Sequence, residues 1–366
     1  MRYKLGEIFN LQMGKTPDRH SPKFWNEGTE PWISIADLTK CNKYIENTAE
    51  KITATAVDES GIKIIPKNTV IMSFKLSIGK VAITPKEMYS NEAIMSFIDK
   101  GVLKIEPVYL YYLLMHKDWD TGTNKAVMGK TLNKASLSQM TVNIHGYSEQ
   151  LEIIKALDAA SSIIAARKQQ LTELDNLIKA RFVEMFGDPV SNPKDWNVEP
   201  LGKRCGIITG NTPPRSEPEN YGKYIEWIKS DNINTPFTFI TKAQECLSEA
   251  GFEKCRFVEA GSILMTCIAG SIDCIGNVAV TDRRVAFNQQ INAIVPEQDE
   301  VLYLYWLMQL SKPMIHRTIN MALKGILSKS QLSEIVFPFP PITLQEQFVA
   351  FVEQTDKSKY YSITER

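Results

Sequence analysis

Short apolar runs alternate with denser apolar segments along most of the chain. Residues 69–73, 80–84 and 93–98 are rich in β-branched and aliphatic residues and are broken by Gly and Pro, a pattern typical of short strands. Residues 108–117 carry aromatic and aliphatic side chains too densely for a strand with one wet face, and therefore predict a buried helix. Together these runs predict an α+β domain of about 145 residues with a mixed or antiparallel sheet.

The segment 148–186 has a different pattern, because it contains neither Gly nor Pro. Its apolar residues recur at every seventh position, at Leu157, Ile164, Leu171, Ile178 and Met185. This spacing predicts a long helix with a narrow coiled-coil seam, about 57 Å long at a rise of 1.5 Å per residue. Gly187 and Pro189 mark its end. We interpret this helix as a spacer; a core helix of an ordinary bundle is the alternative.

An internal repeat organises the rest of the chain. The sequence G-K-T-P-D-R-H-S-P at 14–22 returns as G-N-T-P-P-R-S-E-P at 210–218, with five identical residues at a constant offset of 196. With small shifts, the matches continue along both halves: Trp32 with Trp227, 69–73 with 262–266, 78–82 with 275–279, Asn91 with Asn288, 109–113 with 303–307, and Glu149-Gln150 with Glu346-Gln347. The chain therefore contains one domain twice.

The repeat predicts four segments. Residues 1–147 and 191–342 are the two α+β domains, and 148–190 hold the central helix. Residues 343–366 form a second helix, because Thr343 and Glu346 have the spacing of a capping box.

Charge and targeting signals narrow the class of protein. The 42 Lys and Arg residues balance the 42 Asp and Glu residues. Since affinity for duplex DNA comes largely from cations that displace phosphate counterions, any DNA site must be local or shared with a basic partner. No apolar run approaches 18 residues, and the start of the chain lacks the apolar core of a secretory signal. We expect a cytoplasmic protein that does not enter a membrane.

The sequence contains no recognisable catalytic or metal-binding motif. The six cysteines form no C-x-x-C pair, and the four histidines lack the spacing of metal ligands. The G-K-T triplets at 14–16 and 129–131 lack the leading Gly of a phosphate-binding loop. We therefore predict a non-catalytic chain with no catalytic residues and no cofactor or metal of its own.

Candidate DNA contacts follow from local charge. The segments 121–148 and 311–333 occupy matching places in the repeat and contain no acidic residue, as a surface that follows phosphates requires. The candidates within them are Lys125, Lys130, Lys134, Arg317, Lys324 and Lys329. Further candidates, chosen for side chains that reach a groove edge, are Arg19, Lys23, Lys75, Lys80, Arg215, Lys229, Asn232, Arg284 and Gln290. A solvated loop with incidental lysines is the alternative for either segment.

Four motifs stand in a fixed order: G-x-T-P near the start of each copy, I-G-x-V-A followed by an Asn, M-F-G-D-P at 185–189, and P-x-x-x-x-E-Q at 341–347. In this order and duplication they resemble the specificity subunit, HsdS, of type I restriction-modification enzymes. The resemblance covers nearly the whole chain.

This resemblance implies two target-recognition domains held apart by antiparallel helices, each domain reading one half of a bipartite site in double-stranded DNA. Two HsdM methyltransferase subunits would dock on the helices, and HsdR motor-nuclease subunits would complete the complex. S-adenosylmethionine, ATP and Mg²⁺ would belong to those partners. The segment 343–366 offers 24 residues for the second helix, fewer than the central one, so we expect either partial pairing or a truncated chain.

Two other functions remain open. The chain is alternatively the recognition subunit of a type II-like restriction-modification system, which neighbouring genes would reveal. It is otherwise a protein-interaction scaffold without affinity for DNA, in which case duplex DNA would cause no salt-sensitive shift.

Overall fold

The computed structural model describes residues 1–75, 77–119, 124–126, 129–319 and 325–364, except for the side chains of 124–126, 129–131 and 357–364. The chain divides into two compact units, residues 1–165 and 166–366, which we call the first and the second unit.

The first unit contains eleven strands among the residues described. They are β1 (Arg2–Lys4), β2 (Phe9–Met13), β3 (Glu30–Ile33), β4 (Glu50–Ile52), β5 (Val70–Ser73), β6 (Val81–Ile83), β7 (Tyr89–Ser90), β8 (Ile94–Asp99), β9 (Asn124–Ala126), β10 (Gly129–Thr131) and β11 (Thr141–Asn143). Its helices are α1 (Leu5–Ile8), α2 (Pro22–Trp25), α3 (Ile35–Lys40), α4 (Ala54–Ser60), α5 (Pro107–Met115), α6 (Lys134–Gln139) and the start of α7 (Tyr147–Phe186).

Two sheets form the centre of the first unit. The larger is antiparallel with the order β2-β8-β5-β6, and the smaller has the order β4-β3-β7 with β3 and β7 parallel. Val70 and Met72 pack into the core that contains α5, whereas Ile71 between them packs into a second core. Because successive side chains of a strand point to opposite faces, this sheet is buried on both sides, which explains its continuous apolar runs.

The second unit repeats this architecture. Its strands are β12 (Val198–Pro200), β13 (Cys205–Thr209), β14 (Tyr221–Gly222), β15 (Ile225–Ile228), β16 (Cys246–Leu247), β17 (Phe257–Val258), β18 (Ile263–Thr266), β19 (Val278–Val280), β20 (Val285–Phe287), β21 (Ile291–Pro296) and β22 (Val336–Pro338). After the end of α7, its helices are α8 (Glu249–Glu253), α9 (Val301–Leu310), α10 (Lys312–Arg317), α11 (Lys329–Glu334) and α12 (Ile342–Thr364).

The larger sheet of the second unit has the order β13-β21-β18-β19 and is antiparallel, as in the first unit. The smaller sheet again contains one parallel pair, β15 with β20. The predicted fold class is therefore confirmed: each unit is α+β, and a long helix separates two copies of one domain. The division into four segments at 147, 190 and 342 stays a prediction.

The long helix spans 40 residues, one more than predicted. Its first turns pack against the first unit through the half-buried Ile153, Ile154 and Leu157. In the second unit Ile178 and Phe182 are fully buried. Of the five seam residues, Ile178 is buried and Leu157 and Met185 pack against the cores, whereas Ile164 is 49% exposed. The seam therefore contributes to the cores only towards its two ends.

The end of α7 runs antiparallel to the start of α12 within the second unit. Phe348 makes edge contacts with the rings of Phe182 and Phe186, at centroid distances of 5.4 and 5.5 Å. Arg181, earlier in α7, lies 5.8 Å over the ring of Phe351, which is later in α12. The contacting residue numbers decrease along α7 as they increase along α12. The predicted antiparallel pairing is therefore confirmed over this stretch.

Two details of the predicted second helix are wrong. It begins at Ile342, so Thr343 lies in the first turn and is not the cap. The repeat register is also shifted here, because the hydrogen bonds of Gln150 are reproduced by Gln345 and not by Gln347. Gln150 Oε1 accepts from the Glu106 amide and Gln345 Oε1 from the Glu300 amide, each at 3.0 Å. The predicted register paired Gln150 with Gln347 because an identical Glu-Gln pair occurs in both copies.

All six cysteines are free thiols. No helix among the described residues has the length and apolarity needed to cross a membrane.

Candidate nucleic-acid interface

The G-x-T-P motif is a packing element in both units. A Cβ atom on Gly14 would lie 2.2 Å from the carbonyl oxygen of Asn91, so only glycine fits there. The next residue, Lys15, donates its amide to the Ser90 carbonyl (2.8 Å) and accepts the indole N–H of Trp32 at its own carbonyl (3.1 Å). The same contacts recur in the second unit at Gly210, Asn211, Phe287, Asn288 and Trp227.

The arginine of the motif is held by a carboxylate and aromatic rings. Arg19 forms a two-pronged ion pair with Glu50, and its guanidinium lies 3.9 Å from the ring centroid of Trp25 and 4.6 Å from that of Trp32. In this arrangement Arg19 ties the motif loop to β4, so its donors serve the fold of the loop.

Arg215 has the equivalent role in the second unit. It pairs with Glu245 in the same two-pronged manner and lies over the rings of Tyr221 and Trp227. Lys229 is a second cationic partner of Glu245. The hydrogen bond from Arg215, with a further contribution from Lys229, lowers the pKa of Glu245 to about 2.

Several other candidates also have partners within the chain. Lys23 pairs with Glu59, and Arg284 with Glu259. Asn232 is buried and caps a 3₁₀ turn, since its Oδ1 accepts from the Lys229 amide at 3.1 Å. The remaining contacts of this kind join Lys80 to the Thr39 hydroxyl and Gln290 to the Asn288 amide. A DNA contact by any of these side chains stays a prediction, and it would compete with these internal hydrogen bonds.

Two loops come together at one place in each unit. In the first unit the loop between β5 and β6 meets the segment that follows α5: the Leu132 amide donates to the Phe74 carbonyl at 3.0 Å. Gly79 lies against Trp119, whose Cδ1 would be 3.0 Å from an added Cβ. We call the described residues of 74–80 and 116–134 the first loop pair.

The second unit brings the equivalent loops together. The Leu327 amide donates to the Cys267 carbonyl at 2.9 Å, and Ile268 forms a bridge with Ile326. His316 Nε2 lies 2.8 Å from the Ile275 carbonyl oxygen. We call the described residues of 267–277 and 311–329 the second loop pair. Each loop pair therefore contains part of one acid-free segment, 124–126 and 129–134 in the first unit and 311–319 with 325–329 in the second, a juxtaposition that the sequence did not predict.

The loop pairs carry the candidate cations that remain available. Lys134, Arg317 and Lys329 are exposed, and none of them has a carboxylate of the described residues within ion-pair distance. Lys75, half-buried, lies over the ring of Phe74 at 5.3 Å. Lys125 and Lys130 are backbone register partners in the antiparallel pair of β9 and β10. Lys324 lies outside the described residues.

A turn joins each motif loop to its loop pair. In the first unit Asn91 Oδ1 accepts from the Ala93 amide, and the Ala93 carbonyl accepts from the Phe74 amide, both at 3.0 Å. Between them Glu92 accepts a hydrogen bond from the Thr16 hydroxyl. That bond, with smaller effects from the charges of Lys75 and Arg19, lowers the pKa of Glu92.

The second unit has the same turn at Asn288, Gln289 and Gln290. The Gln290 amide donates to Asn288 Oδ1 at 3.0 Å, and Thr212 donates its hydroxyl to Gln289. The residues Glu92 and Gln289 were missed as candidates. Their position directly after the repeated Asn is the sequence signal that could have found them.

This chain is a tandem-domain protein, in which two α+β units are connected through a 40-residue helix. The family model described as the type I restriction modification DNA specificity domain matches residues 1–176 and again residues 193–365. The chain therefore belongs to the family of type I restriction-modification DNA specificity domains.

Individual relatives are similar over parts of the chain. The MjaIX specificity subunit of Methanocaldococcus jannaschii is 28% identical over 233 residues, which cover 58% of this chain and 53% of that protein. The HindI specificity subunit of Haemophilus influenzae is 30% identical over 184 residues, which cover 48% of this chain and 38% of that protein. The chain thus spans about half or less of these two curated relatives.

Solved structures share the fold. The S subunit of a type I restriction-modification system from Mycoplasma genitalium matches 100% of this chain and 91% of its own, with a TM-score of 0.55 at 14% identity. A chain from a structure of type I R-M complex assembly matches 99% of this chain and 91% of its own, with a TM-score of 0.53 at 16% identity.

Proposed function

We propose that this chain is the non-catalytic DNA-binding specificity subunit of a type I restriction-modification complex. Each unit reads one half of a bipartite site in double-stranded DNA through its loop pair and the adjoining turn. The observation that carries the proposal is the recurrence of one rigid framework with different exposed polar residues. Two recognition units that share a fold and read different sequences need this combination.

Phosphate contacts are assigned to the cations of the loop pairs. Lys75 and Lys134 serve the first unit, and Arg317 and Lys329 the second. Lys125, Lys130 and Lys324 belong to the same segments by sequence. The same segments are rich by sequence in small polar residues, which with backbone amides also bind phosphate oxygens.

We infer the partners by analogy with the family. Two HsdM methyltransferase subunits dock on α7 and α12, and HsdR motor-nuclease subunits join the complex. S-adenosylmethionine, ATP and Mg²⁺ are bound by those subunits. The complex acts in the cytoplasm, where the chromosome is its substrate.

The decisive test is co-expression of the chain with its HsdM partner, followed by mapping of methylated adenines in the genome. We expect one bipartite motif that disappears when the chain is omitted. Exchange of residues 191–342 with those of a relative should change one half of the motif and leave the other intact. Changes in both halves would refute independent reading, and the absence of any chain-dependent methylation would refute the function.

A second test addresses the loop pairs. The dependence of DNA binding on salt reports the number of phosphate contacts, so Lys75→Ala should reduce the slope of log K against log salt by about 1. Lys100→Ala is the matched control. Its side chain lies beyond the end of the six-residue β8, about 20 Å from the Asn91 turn, so the slope should not change. Equal slopes for both variants would show that Lys75 makes no phosphate contact.

A further inference from the structure

One exposed position is built in the same way in both units but carries different chemistry. Glu92 and Gln289 are the central residues of the two equivalent Asn-headed turns. Both side chains are exposed, and each accepts a hydrogen bond from the threonine of its own G-x-T-P motif. A side chain fixed in this way loses little conformational entropy when it meets a ligand.

The remaining hydrogen-bonding capacity differs between the two positions. Glu92 accepts the Thr16 hydroxyl at Oε2, so its other oxygen, Oε1, is left as an acceptor. Gln289 accepts the Thr212 hydroxyl at Oε1, so its amide NH₂ group is left as a donor. Among the described residues, none other than the two threonines forms a hydrogen bond with the side chain of Glu92 or of Gln289. The first unit thus presents an acceptor where the second presents a donor.

The bases of DNA discriminate between these groups. In the major groove cytosine N4 and adenine N6 are donors, whereas guanine O6 and N7, adenine N7 and thymine O4 are acceptors. A carboxylate near a phosphate-binding surface is repelled by the DNA backbone, and a base that donates a hydrogen bond to it offsets this cost. The neighbouring Lys75 and Arg19 reduce the repulsion at Glu92.

We propose that Glu92 and Gln289 are specificity-determining residues of the two units. Glu92 selects a base with an exocyclic amino group, cytosine or adenine, at one position of the half-site read by the first unit. Gln289 selects a base that offers an acceptor, guanine, thymine or adenine, and so disfavours cytosine at the corresponding position for the second unit. Thr16 and Thr212 are the positioning residues. This inference deepens the proposed function and rests on it.

The test uses the full chain co-expressed with its HsdM partner and a plasmid library with randomised half-sites. Glu92→Gln should change the preferred base at one position of one half-site, with a shift of roughly 10-fold in relative methylation, the size of one good base contact. Gln289→Glu should make the opposite change in the other half-site. Thr16→Val should weaken discrimination at the position affected by Glu92→Gln without creating a new preference.

Asp99→Asn is the matched control, because it removes a charge at the far end of β8; both half-sites should stay unchanged. Wild-type preferences in both turn variants would overturn the inference, as would changes spread over both half-sites in either one. If a folded variant no longer methylates, selection of bound duplexes from the same library replaces the readout, with the same criteria. Loss of all chain-dependent methylation in the wild type would instead overturn the proposed function, and this inference with it.

Discussion

A buried ion pair distinguishes the second unit from the first and allows a quantitative prediction. Arg204 donates to both carboxylate oxygens of Asp299, from Nε at 2.9 Å and from Nη2 at 2.7 Å. The Asp299 side chain is completely buried, and that of Arg204 is 21% exposed. Gln345 Nε2 also donates to Asp299, at 2.8 Å. The carboxylate therefore depends on Arg204 and Gln345 in place of water.

The first unit fills the same place with apolar side chains. In the first unit the amide of Lys100 donates to the carbonyl of Ile8, and in the second unit the amide of Glu297 donates to the carbonyl of Arg204. Ile8 is therefore the equivalent of Arg204. By the hydrogen bonds of Gln150 and Gln345, Ile105 is the equivalent of Asp299. Ile8 is buried and Ile105 packs against the same core. The fold thus accepts an apolar pair at this place.

We expect Arg204→Ile alone to destabilise the second unit by about 3–5 kcal/mol, because it leaves a buried carboxylate without its cation. The double variant Arg204→Ile with Asp299→Ile should recover most of this loss, since an apolar pair of suitable volume is often neutral or stabilising relative to a buried ion pair. Urea unfolding followed by circular dichroism would measure both, with the transition of each unit fitted separately.

Arg284→Ile is the control, because it breaks an exposed ion pair with Glu259 and should leave the midpoint nearly unchanged. The reasoning would fail if the double variant lost as much unfolding free energy as the single variants Arg204→Ile and Asp299→Ile lose when their losses are added. It would also fail if Arg204→Ile destabilised the unit by less than about 1 kcal/mol, because water would then have replaced Arg204 as the hydrogen-bond partner of the carboxylate.

Three further predictions concern single side chains. Gly210→Ala places a methyl group 2.2 Å from a backbone carbonyl oxygen, so it should destabilise the second unit by about 1–3 kcal/mol in urea unfolding. Gly270→Ala, which meets nothing within 4 Å, should not; equal midpoints would contradict the packing role of the motif glycine. The pKa of Glu245 is lowered from 4.5 to about 2, so its ionised form stabilises the fold above pH 4.5 and this contribution is lost as the pH falls towards 2. Thermal melts over this range should therefore show Glu245→Gln converging on the wild type as the pH falls, and a constant difference would refute the coupling. Burial raises the pKa of the Cys205 and Cys267 thiols to about 12, so mass spectrometry should find them alkylated by iodoacetamide at about pH 8 only after unfolding. Alkylation of either thiol in the native chain would show that it is accessible.

The duplication and the long helix were predictable because both depend on local or regularly spaced residues. The strands of 69–73 and 93–98 appear within one residue of their predicted ends, since continuous apolar runs mark strands buried on both faces. The helix of 148–186 was predicted to within one residue, because the Gly and Pro residues that end helices are absent until Gly187.

The roles of the charged candidates were not predictable in the same way. Arg19 looked like a free donor, but its partner Glu50 lies 31 residues away on a strand whose pairing the sequence does not specify. The loop pairs likewise depend on contacts between distant segments, such as the hydrogen bond from the Leu132 amide to the Phe74 carbonyl in the first unit. Sequence indicates which residues have the chemistry to bind DNA, but tertiary pairing decides which of them are already engaged.

These internal pairs also explain how a chain with no net charge suits a DNA-reading role. Arg19, Arg215 and Arg284 neutralise carboxylates of their own units, so they hold loops in place and contribute little to counterion release. A subunit built in this way supplies rigid polar groups for base contacts and only a few cations for phosphates. In the proposed complex, most of the electrostatic affinity would then come from the partner subunits, and this chain would determine where on the duplex the complex is most stable.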